Sequence, residues 1–324
     1  SVSRALSGSR GVSVKTAQRI LAVAKKLNYL PNGIARNLVN QRSKTLGLIL
    51  PDISNPFFSD IALAVIHTAE RAGYQTILSN TDWEPRAQER QLQLMREQRV
   101  DGIILKPVQD TVDGAAYENL GLPAVLLHYS GSKVVSCVDT DHDYGGYLMT
   151  RHLLEMGHRR IGLMFENVSQ QFMNSFCQGW ELALKEEAAP REASLLLNAP
   201  NSMAGGYAKT MELLDAGEMP EAVFCASDEQ AFGVLKAAHE KGVRVPEELA
   251  VAGFTDSPMS NLCDPELTTI DLPIYRLGII AARMLFDVIE DTGSEVTPGE
   301  VVLQPKLRIR RSCGNEKPIN VLFE

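Results

Sequence analysis

Apolar residues recur at helical spacing near the start of the chain, between Val14 and Leu27. Ser13 stands where a helix N-cap belongs, so the spacing predicts an amphipathic helix over residues 14–27. Pro31 interrupts this helix, and Asn32 can cap a second helix through residues 33–40. The beginning of the chain is therefore predicted to be all-α.

From Thr45 onwards, short apolar runs alternate with helical stretches, which predicts parallel sheets built from βαβ units. The predicted strands are residues 45–50, 74–78, 101–105, 123–127, 160–165, 221–225 and 249–253. The predicted helices are residues 57–72, 84–98, 143–156, 170–188, 203–215, 228–241 and 274–291. A chain of 324 residues with 44% hydrophobic residues suits two or three domains of this α/β class.

Charge separates the beginning of the chain from the rest. The net charge is −8, yet residues 1–44 contain nine Lys or Arg residues and no Asp or Glu. Subtracting those nine leaves 23 basic and 40 acidic residues in the remaining 280. This asymmetry predicts a head that binds a polyanion on an acidic body. The alternative, a solvated basic tail, does not require the helical periodicity of residues 14–27.

Several other classes of protein find no support in the sequence. The five cysteines are widely spaced, no run is long and apolar enough to cross a bilayer, and no apolar signal segment opens the chain. The six histidines show no metal-binding spacing, and there is no nucleophile elbow, P-loop or dinucleotide fingerprint. We therefore expect a cytoplasmic protein with no enzymatic activity, no cofactor and no metal. Asp139, Asp141 and Asp143 alternate, but their loop lacks the features of an EF-hand, and a crossing between lobes explains them better.

The basic head resembles the DNA-binding headpiece of the LacI/GalR family of transcription regulators. The runs VSRALSG, VS-x-x-T-x-x-x-I and LNYLPNGIARNL carry this resemblance. It implies a partial helix-turn-helix headpiece over residues 1–31, followed by a hinge helix and linker over residues 32–44. It places Ser1, Ser3 and Arg4 in the recognition helix, with Arg4 as a guanine contact. It places Asn32, Ala35 and Leu38 in the hinge helix.

Two further expectations concern this head. Leu38 would wedge between base steps in the minor groove, the alternative being an ordinary apolar contact. Because the sequence starts inside the family's recognition helix, the apolar face of residues 14–27 lacks the first helix as a packing partner. We therefore expect this chain as given to bind operator DNA poorly.

The resemblance extends over the body through LGLILPDISNPFF, VDGIIL, LLEMGHRRIGLM, FCASDEQAFGVLKAAHEKGVRVPEELAVAGFTD and PELTTIDLP. It implies a periplasmic-binding-protein-like, two-lobed body of parallel sheets flanked by helices. One lobe would comprise residues 45–141 plus 273–303. The other lobe would comprise residues 142–272 plus 304–324.

By the same resemblance, a small-molecule effector contacts loops that face the cleft between the lobes. The matching positions are Phe57, Phe58, Gln170, Phe172, Phe176, Asn201, Ser227, Asp228 and Thr255. Lys106 is a further candidate, because it directly follows the predicted strand 101–105 and could pair with a carboxylate or phosphate of the ligand. Four of these candidates have structural alternatives: Phe57 and Phe58 as core residues, Asp228 as a helix cap, and Lys106 as a solvent-facing loop lysine. Phe176 and Thr255 stand where the family commonly has Arg and Asp, which removes its usual charged clamp on sugar hydroxyls.

Together these features predict a ligand-responsive transcription regulator, of the repressor type, for carbohydrate or related metabolite genes. Its partners would be operator DNA, a sugar or sugar acid, and further copies of itself in a homodimer or tetramer, but no membrane. The effector would act allosterically on the order of the hinge helix, and the protein would lie in the cytoplasm at the nucleoid. The alternative, a transport-type solute-binding protein, shares the body but has no use for an acid-free basic head.

Overall fold

The computed structural model describes residues 2, 5, 11–27, 42–108, 121–128, 134–166, 170–192, 195–290 and 298–314, without the side chains of residues 170–176. The described strands are β1 (Thr45–Leu50), β2 (Gln75–Asn80), β3 (Gly102–Leu105), β4 (Ala124–Leu127), β5 (Ser136–Thr140), β6 (Ile161–Phe165), β7 (Leu196–Asn198), β8 (Ala222–Cys225), β9 (Ala250–Thr255), β10 (Thr268–Asp271), β11 (Glu300–Leu303) and β12 (Lys306–Arg308). The described α-helices are α1 (Val14–Lys26), α2 (Pro56–Arg71), α3 (Pro85–Glu97), α4 (His142–Glu155), α5 (Gln170–Glu186), α6 (Met203–Ala216), α7 (Asp228–Lys241) and α8 (Ile274–Glu290).

Two six-stranded sheets organise the body, as expected for an α/β protein. The first sheet has the order β11-β5-β4-β3-β1-β2, and every neighbouring pair in it is parallel. The second has the order β12-β10-β9-β8-β6-β7 and is parallel except at β12. We call the first sheet with α2, α3 and α8 the first lobe, and the second sheet with α4 to α7 the second lobe.

Helices cover both faces of the first sheet, which explains why its strands are continuous apolar runs. Successive side chains of a strand point to opposite faces. In β1, Leu46, Leu48 and Leu50 pack with residues of α2 and α8, whereas Ile49 packs with Met95 of α3. The second lobe has its own core, with Trp180 of α5 only 1% exposed.

Helices α2 and α8 cross closely because residue 278 is glycine. A Cβ atom added at Gly278 would lie 2.7 Å from the Cβ of Ala64 and 2.8 Å from the carbonyl oxygen of Ile61. The start of α2 is set by Asn55, whose Oδ1 accepts from the N–H of Phe57 at 2.9 Å, with Pro56 in the first turn. These contacts place the two phenylalanines that follow Pro56 at the edge of the first lobe.

The chain passes between the lobes at three places: after β5, after β10 and between β11 and β12. Asp141 lies at the first crossing and Gln304 at the third, and Gln304 Nε2 donates to Asp141 Oδ2 at 3.1 Å. The other oxygen of Asp141 accepts from the N–H of Tyr144 at 2.9 Å and so caps α4. Both carboxylate oxygens of Asp141 therefore accept hydrogen bonds that hold the crossing in place, as the interpretation of Asp141 as a crossing residue expects.

Helix α1 confirms the predicted helix in the head. Ser13 Oγ accepts from the N–H of Thr16 at 3.3 Å, and no residue of α1 is buried. Val14 in its first turn is 75% exposed, and Leu27, its C-cap residue, is 71% exposed. Ser1, Ser3, Arg4, Asn32, Ala35 and Leu38, all predicted to contact DNA, lie outside the described residues. Within the described part of the chain, no helix is long and apolar enough to cross a membrane.

The linker that follows the hinge segment is held on the first lobe. Asp101 Oδ1 accepts from the N–H of Ser43 at 2.6 Å and from its hydroxyl at 2.8 Å. Asp101 Oδ2 accepts from the N–H of Lys44 at 3.0 Å. Nearby, Arg42 Nη2 donates to the carbonyl oxygen of Ile289 at 3.1 Å. Residues 42–44, which lead to the head, are therefore held at the start of β3 and at the end of α8.

Candidate functional site

The carboxyl ends of the parallel strands, where ligands bind in open α/β sheets, carry most of the predicted effector residues. Phe57 follows β1, and Lys106 follows β3 directly. In the second lobe, Asn201 follows β7, Ser227 and Asp228 follow β8, and Thr255 ends β9. The fold thus places these residues at the ends of strands that belong to two sheets.

Phe57 and Phe58 have different surroundings. Phe58 is 5% exposed and belongs to the core of the first lobe, as its structural alternative proposed. Phe57 is only partly buried and packs against the core clusters of both lobes. Its ring centroid lies 4.9 Å from the ring of His128. Of the two rings, Phe57 is the one that lies where the lobes meet.

Lys106 is buried rather than solvent-facing. Only 9% of the residue is exposed, which contradicts the interpretation of Lys106 as a surface loop lysine. Its backbone N–H donates to the carbonyl oxygen of Ile49 at 3.0 Å. Its ammonium group lies close enough to His142 to help lower the pKa of that imidazole. A buried cation beside a cleft suits an anionic group on a ligand.

His128, Asp139 and His142 form a compact group beside Phe57. Nδ1 of His128 lies 3.4 Å from Asp139 Oδ1, and Nδ1 of His142 lies 3.7 Å from the same oxygen. The His142 ring also stacks on Phe254 of β9, with centroids 5.8 Å apart and planes inclined by 18°. The group therefore joins the ends of β4 and β5 to the second lobe.

Burial sets the protonation of this group. Burial, the dominant cause, lowers the pKa of His142 to about 4, although the charge of Asp139 opposes it, so His142 is neutral at pH 7. Burial alone would raise the pKa of Asp139, but the hydrogen bond and charge of His128, with His142, hold it below its usual value. Asp139 is therefore a carboxylate at neutral pH.

Asn201 and Ser227 are brought together at the end of the second sheet. Ser227 Oγ hydrogen-bonds to Asn201 Oδ1 and also accepts from the N–H of Gln230 at 3.2 Å, which caps α7. Asn201 is exposed, and its N–H donates to Glu166 Oε2 at 2.9 Å. Asn201 thus remains accessible to a ligand from a position that Ser227 fixes.

Asp228 is the centre of a buried hydrogen-bond network within the second lobe. Its carboxylate accepts from Thr269 Oγ1 at 2.6 Å, from Ser257 N at 2.6 Å and from Ser260 Oγ at 2.8 Å. Thr255 Oγ1 lies 3.4 Å away. Burial raises the pKa of Asp228, and these donors only partly oppose that rise. With no exposed surface, Asp228 serves the fold of this lobe rather than a ligand.

Thr255 has an unusual backbone at the end of β9. Its φ angle is 131°, a region that β-branched residues seldom adopt, and Asp256 follows with φ 57°. Arg310 Nη2 donates to Asp256 Oδ1 at 2.6 Å and holds this corner. Strained backbone of this kind concentrates at binding sites.

Helix α5 carries Gln170, Phe172 and Phe176, whose side chains lie outside the described residues. Its backbone position is set by Gly179, which lies against α4. A Cβ atom at Gly179 would fall 2.0 Å from the carbonyl oxygen of Asp143 and 2.6 Å from the N–H of Tyr147. The close contact fixes the helix from which these three residues project.

The sequence did not reveal that His128, Asp139 and His142 lie together. One ligand atom from each of the three residues lies within 4.8 Å of the others. The residues lie on three elements, so no local spacing reveals them. The available signal was that His128 directly follows the predicted strand 123–127, whereas the strand that holds Asp139 was not predicted.

Comparisons with known proteins agree with this architecture. Residues 1–32 match the model of bacterial regulatory proteins of the lacI family, and residues 150–313 match that of a periplasmic binding protein-like domain. The chain is 34% identical to the ribose operon repressor of Halalkalibacterium halodurans over 289 residues, covering 89% of this chain and 86% of the relative. It is 31% identical to the HTH-type transcriptional repressor PurR of Haemophilus influenzae (strain PittEE) over 316 residues, covering 96% and 94%.

Among solved structures, a lac repressor dimer bound to operator and the anti-inducer ONPF is similar to this chain. Its TM-score is 0.86 with 27% sequence identity, covering 96% of this chain and 94% of that chain. The similarity therefore extends over both the head and the body.

Proposed function

Because the chain belongs to the LacI family of bacterial regulatory proteins, we propose that it is a repressor whose operator binding is controlled by a sugar or sugar acid. The effector would occupy the cleft where Phe57 and Lys106 of the first lobe meet Asn201 and Thr255 of the second. The position of Phe57 carries this proposal, because its ring packs against the cores of both lobes. A ligand stacked on Phe57 would contact both lobes at once.

The linker gives this binding event a route to the head. Residues 42–44 are tied to Asp101 and Ile289 of the first lobe, so movement of that lobe moves the C-terminal end of the hinge and linker segment. A ligand shifts such an equilibrium only by its differential affinity for the two lobe arrangements, typically about 1–3 kcal/mol. In a homodimer the paired hinge segments would move together or apart in this way. The operator-bound relative is a dimer, which supports that assembly for this chain.

An anionic sugar suits the cleft best. The family's usual Arg and Asp are replaced by Phe176 and Thr255, so the clamp on neutral hydroxyls is reduced. Lys106 supplies a buried positive charge that can pair with a carboxylate or phosphate. We therefore propose a sugar acid or sugar phosphate, with Asn201 hydrogen-bonding to its hydroxyls and Phe57 covering the apolar face of its ring.

A thermal-shift screen tests this proposal. Pentoses, hexoses, sugar acids, sugar phosphates and nucleosides would each be added to the chain. A ligand at 100 times its Kd stabilises the folded state by about 2.7 kcal/mol and so raises the melting temperature. We expect an anionic sugar to give the largest shift. A shift with nucleosides and with no carbohydrate would refute the carbohydrate proposal.

Two variants locate the site. Lys106→Met keeps the length of the side chain and removes its charge, so it should abolish the shift with anionic sugars. Phe57→Ala should weaken all ligands, whereas His239→Gln, on the exposed last turn of α7, should change none of them. Anisotropy of a labelled operator, measured with and without the ligand, would then connect ligand binding to repression. Because its relatives are DNA-binding repressors, we place the protein in the cytoplasm.

A further inference from the structure

His128, Asp139 and His142 have the composition of a transition-metal site. Zn²⁺ is bound by imidazole nitrogen and carboxylate oxygen, and sites that exchange ligands use three protein groups with a fourth position open. Two imidazoles and one carboxylate, each at least 85% buried in its side chain, meet here at the junction between the lobes. We propose that these three residues bind a divalent transition-metal ion, for which Zn²⁺ fits best.

The distances between the candidate ligand atoms support this assignment. With bonds of about 2.0–2.1 Å, two ligands of a tetrahedral Zn²⁺ lie about 3.3 Å apart. The two histidine nitrogens lie 3.4 Å and 3.7 Å from the shared oxygen of Asp139, and one atom from each of the three residues falls within 4.8 Å of the others. Small rotations of two rings would therefore close all three bonds.

The surroundings orient the ligands in the way that metal sites require. Thr140 Oγ1 lies 3.2 Å from Nε2 of His142 and 3.5 Å from Nδ1 of the same ring, so this hydroxyl holds the ring in place. Asp139 Oδ1 accepts from the N–H of Thr140 at 2.7 Å, so its carboxylate is also held. Hydrogen-bond partners of this kind fix the ligands and tune their basicity. Thr140 is thus a positioning residue for both.

An unsatisfied polar atom gives an independent indication. The side chain of His128 is only 8% exposed, yet its Nε2 finds no hydrogen-bond partner among the described residues. Folded proteins rarely leave a buried polar nitrogen unpaired, because the nitrogen loses its hydration without gaining a partner. An ion would compensate for this burial only if His128 bound it through Nε2 rather than through the Nδ1 that faces Asp139.

The charges around the group favour a cation on balance. Asp141 and Asp143 flank His142 in the chain, so two further carboxylates accompany Asp139. Asp143 Oδ1 is buried and has no hydrogen-bond partner in the described part of the chain. Lys106 is a positive charge in the neighbourhood and opposes a cation. Three carboxylates against one ammonium leave a net negative site.

An ion in this position would connect the ends of two strands of the first lobe to the helix that begins the second lobe. His128 follows β4, Asp139 lies in β5, and His142 begins α4 immediately after the first crossing. The ring of His142 stacks on Phe254 of the second lobe. Metal binding would therefore fix the junction and set which lobe arrangement the protein prefers, independently of the identity of the effector.

Titration of the EDTA-treated chain with ZnCl₂ in a calorimeter tests the site. We expect one tight site whose affinity falls by more than roughly 100-fold in Asp139→Asn and His142→Gln. Thr140→Val should cost roughly 10–100-fold, as loss of a partner that orients a ligand does. His239→Gln, an exposed histidine on α7, should leave the affinity unchanged. If His142→Gln fails to fold, Asp139→Asn and Thr140→Val decide the question.

Substitution with Co²⁺ distinguishes this site from the five free cysteines. We expect the visible d–d bands of four-coordinate Co²⁺ without charge-transfer absorption from thiolate, and we expect them to vanish in Asp139→Asn. Thiolate charge transfer, the same affinity in Asp139→Asn as in the wild type, or no binding of either ion would each overturn the proposal. None of these measurements involves DNA or effector, so their failure is separate from failure of the repressor function.

Discussion

Replacing Asp228 with alanine would leave buried donors without an acceptor. Ser260 and Thr269, whose hydroxyls donate to this carboxylate at 2.8 Å and 2.6 Å, have no exposed surface, and Ser257 N donates at 2.6 Å. Each buried donor left unpaired costs about 1–3 kcal/mol, and rotation of hydroxyls together with relief of the buried charge returns part of that. We expect the free energy of unfolding of the second lobe to fall by about 3–5 kcal/mol.

The two tryptophans allow this loss to be measured in the lobe where it occurs. Trp180 is 1% exposed in the core of the second lobe, whereas Trp83 is 46% exposed and contacts Phe58 of the first. In a Trp83→Phe background, the fluorescence of Trp180 during urea titration reports the second lobe alone. In thermal melts the expected loss corresponds to roughly 6–20 °C, at about 2–4 °C per kcal/mol for domains of 150–250 residues.

Two further variants make the result interpretable. Asp228→Asn keeps one acceptor but directs an amide N–H at Ser257 N or a hydroxyl, so we expect an intermediate loss. Glu212→Ala removes an exposed acid from α6 of the same lobe and should change stability by no more than about 0.5 kcal/mol. If Asp228→Ala unfolds at the same urea concentration as Glu212→Ala but no longer responds to effector, Asp228 is a ligand contact and the reasoning fails.

Three other expectations follow from described contacts. Asp101→Ala removes the acceptor of the Lys44 N–H at 3.0 Å, so trypsin should cleave after Lys44 several times faster on a gel; an unchanged rate would mean that other contacts hold the linker. Gly179→Ala places Cβ 2.0 Å from the carbonyl oxygen of Asp143, so the urea midpoint should fall by the equivalent of about 1–3 kcal/mol despite alanine's advantage of about 1 kcal/mol in a helix. An unchanged midpoint would show that the two helices separate at little cost. Burial raises the pKa of the partly buried Cys177 thiol to about 11, so Ellman's reagent at pH 8 should label it much more slowly in the native chain than after unfolding; equal rates would contradict the raised pKa.

The long elements of the body could be predicted from the sequence because local pattern determines them. β1 is an apolar run buried on both faces, and α7 was predicted at residues 228–241 as it occurs, between the cap Ser227 and Gly242. Strands β5, β10 and β11 were not predicted, and neither were β7 and β12, which have only three residues each. Pairing with β6 and β10 defines β7 and β12, and such tertiary pairing leaves little signal in local sequence.

The candidate site was predictable only in part, for the same reason. Phe57 could be identified because the residues around it resemble a known motif at the start of a helix. Burial of Lys106 depends on the surrounding fold, and its sequence equally permitted a surface lysine. The contact of His128 with Asp139 arises from the parallel pairing of β4 with β5, and His142 joins them only because the chain crosses between lobes there. No single segment contains that information.

The placement of β11 and β12 has a consequence for synthesis on the ribosome. Each sheet ends in a strand drawn from residues 300–308, and α8 of the first lobe is made only after the second lobe's β10. Until residue 308 has emerged, β5 and β10 both present an unpaired edge to other nascent chains. Most multidomain proteins complete their domains in order from the N-terminus. Here both lobes remain open until nearly the same moment, so the nascent chain depends on protection of two edges rather than on early completion of one domain.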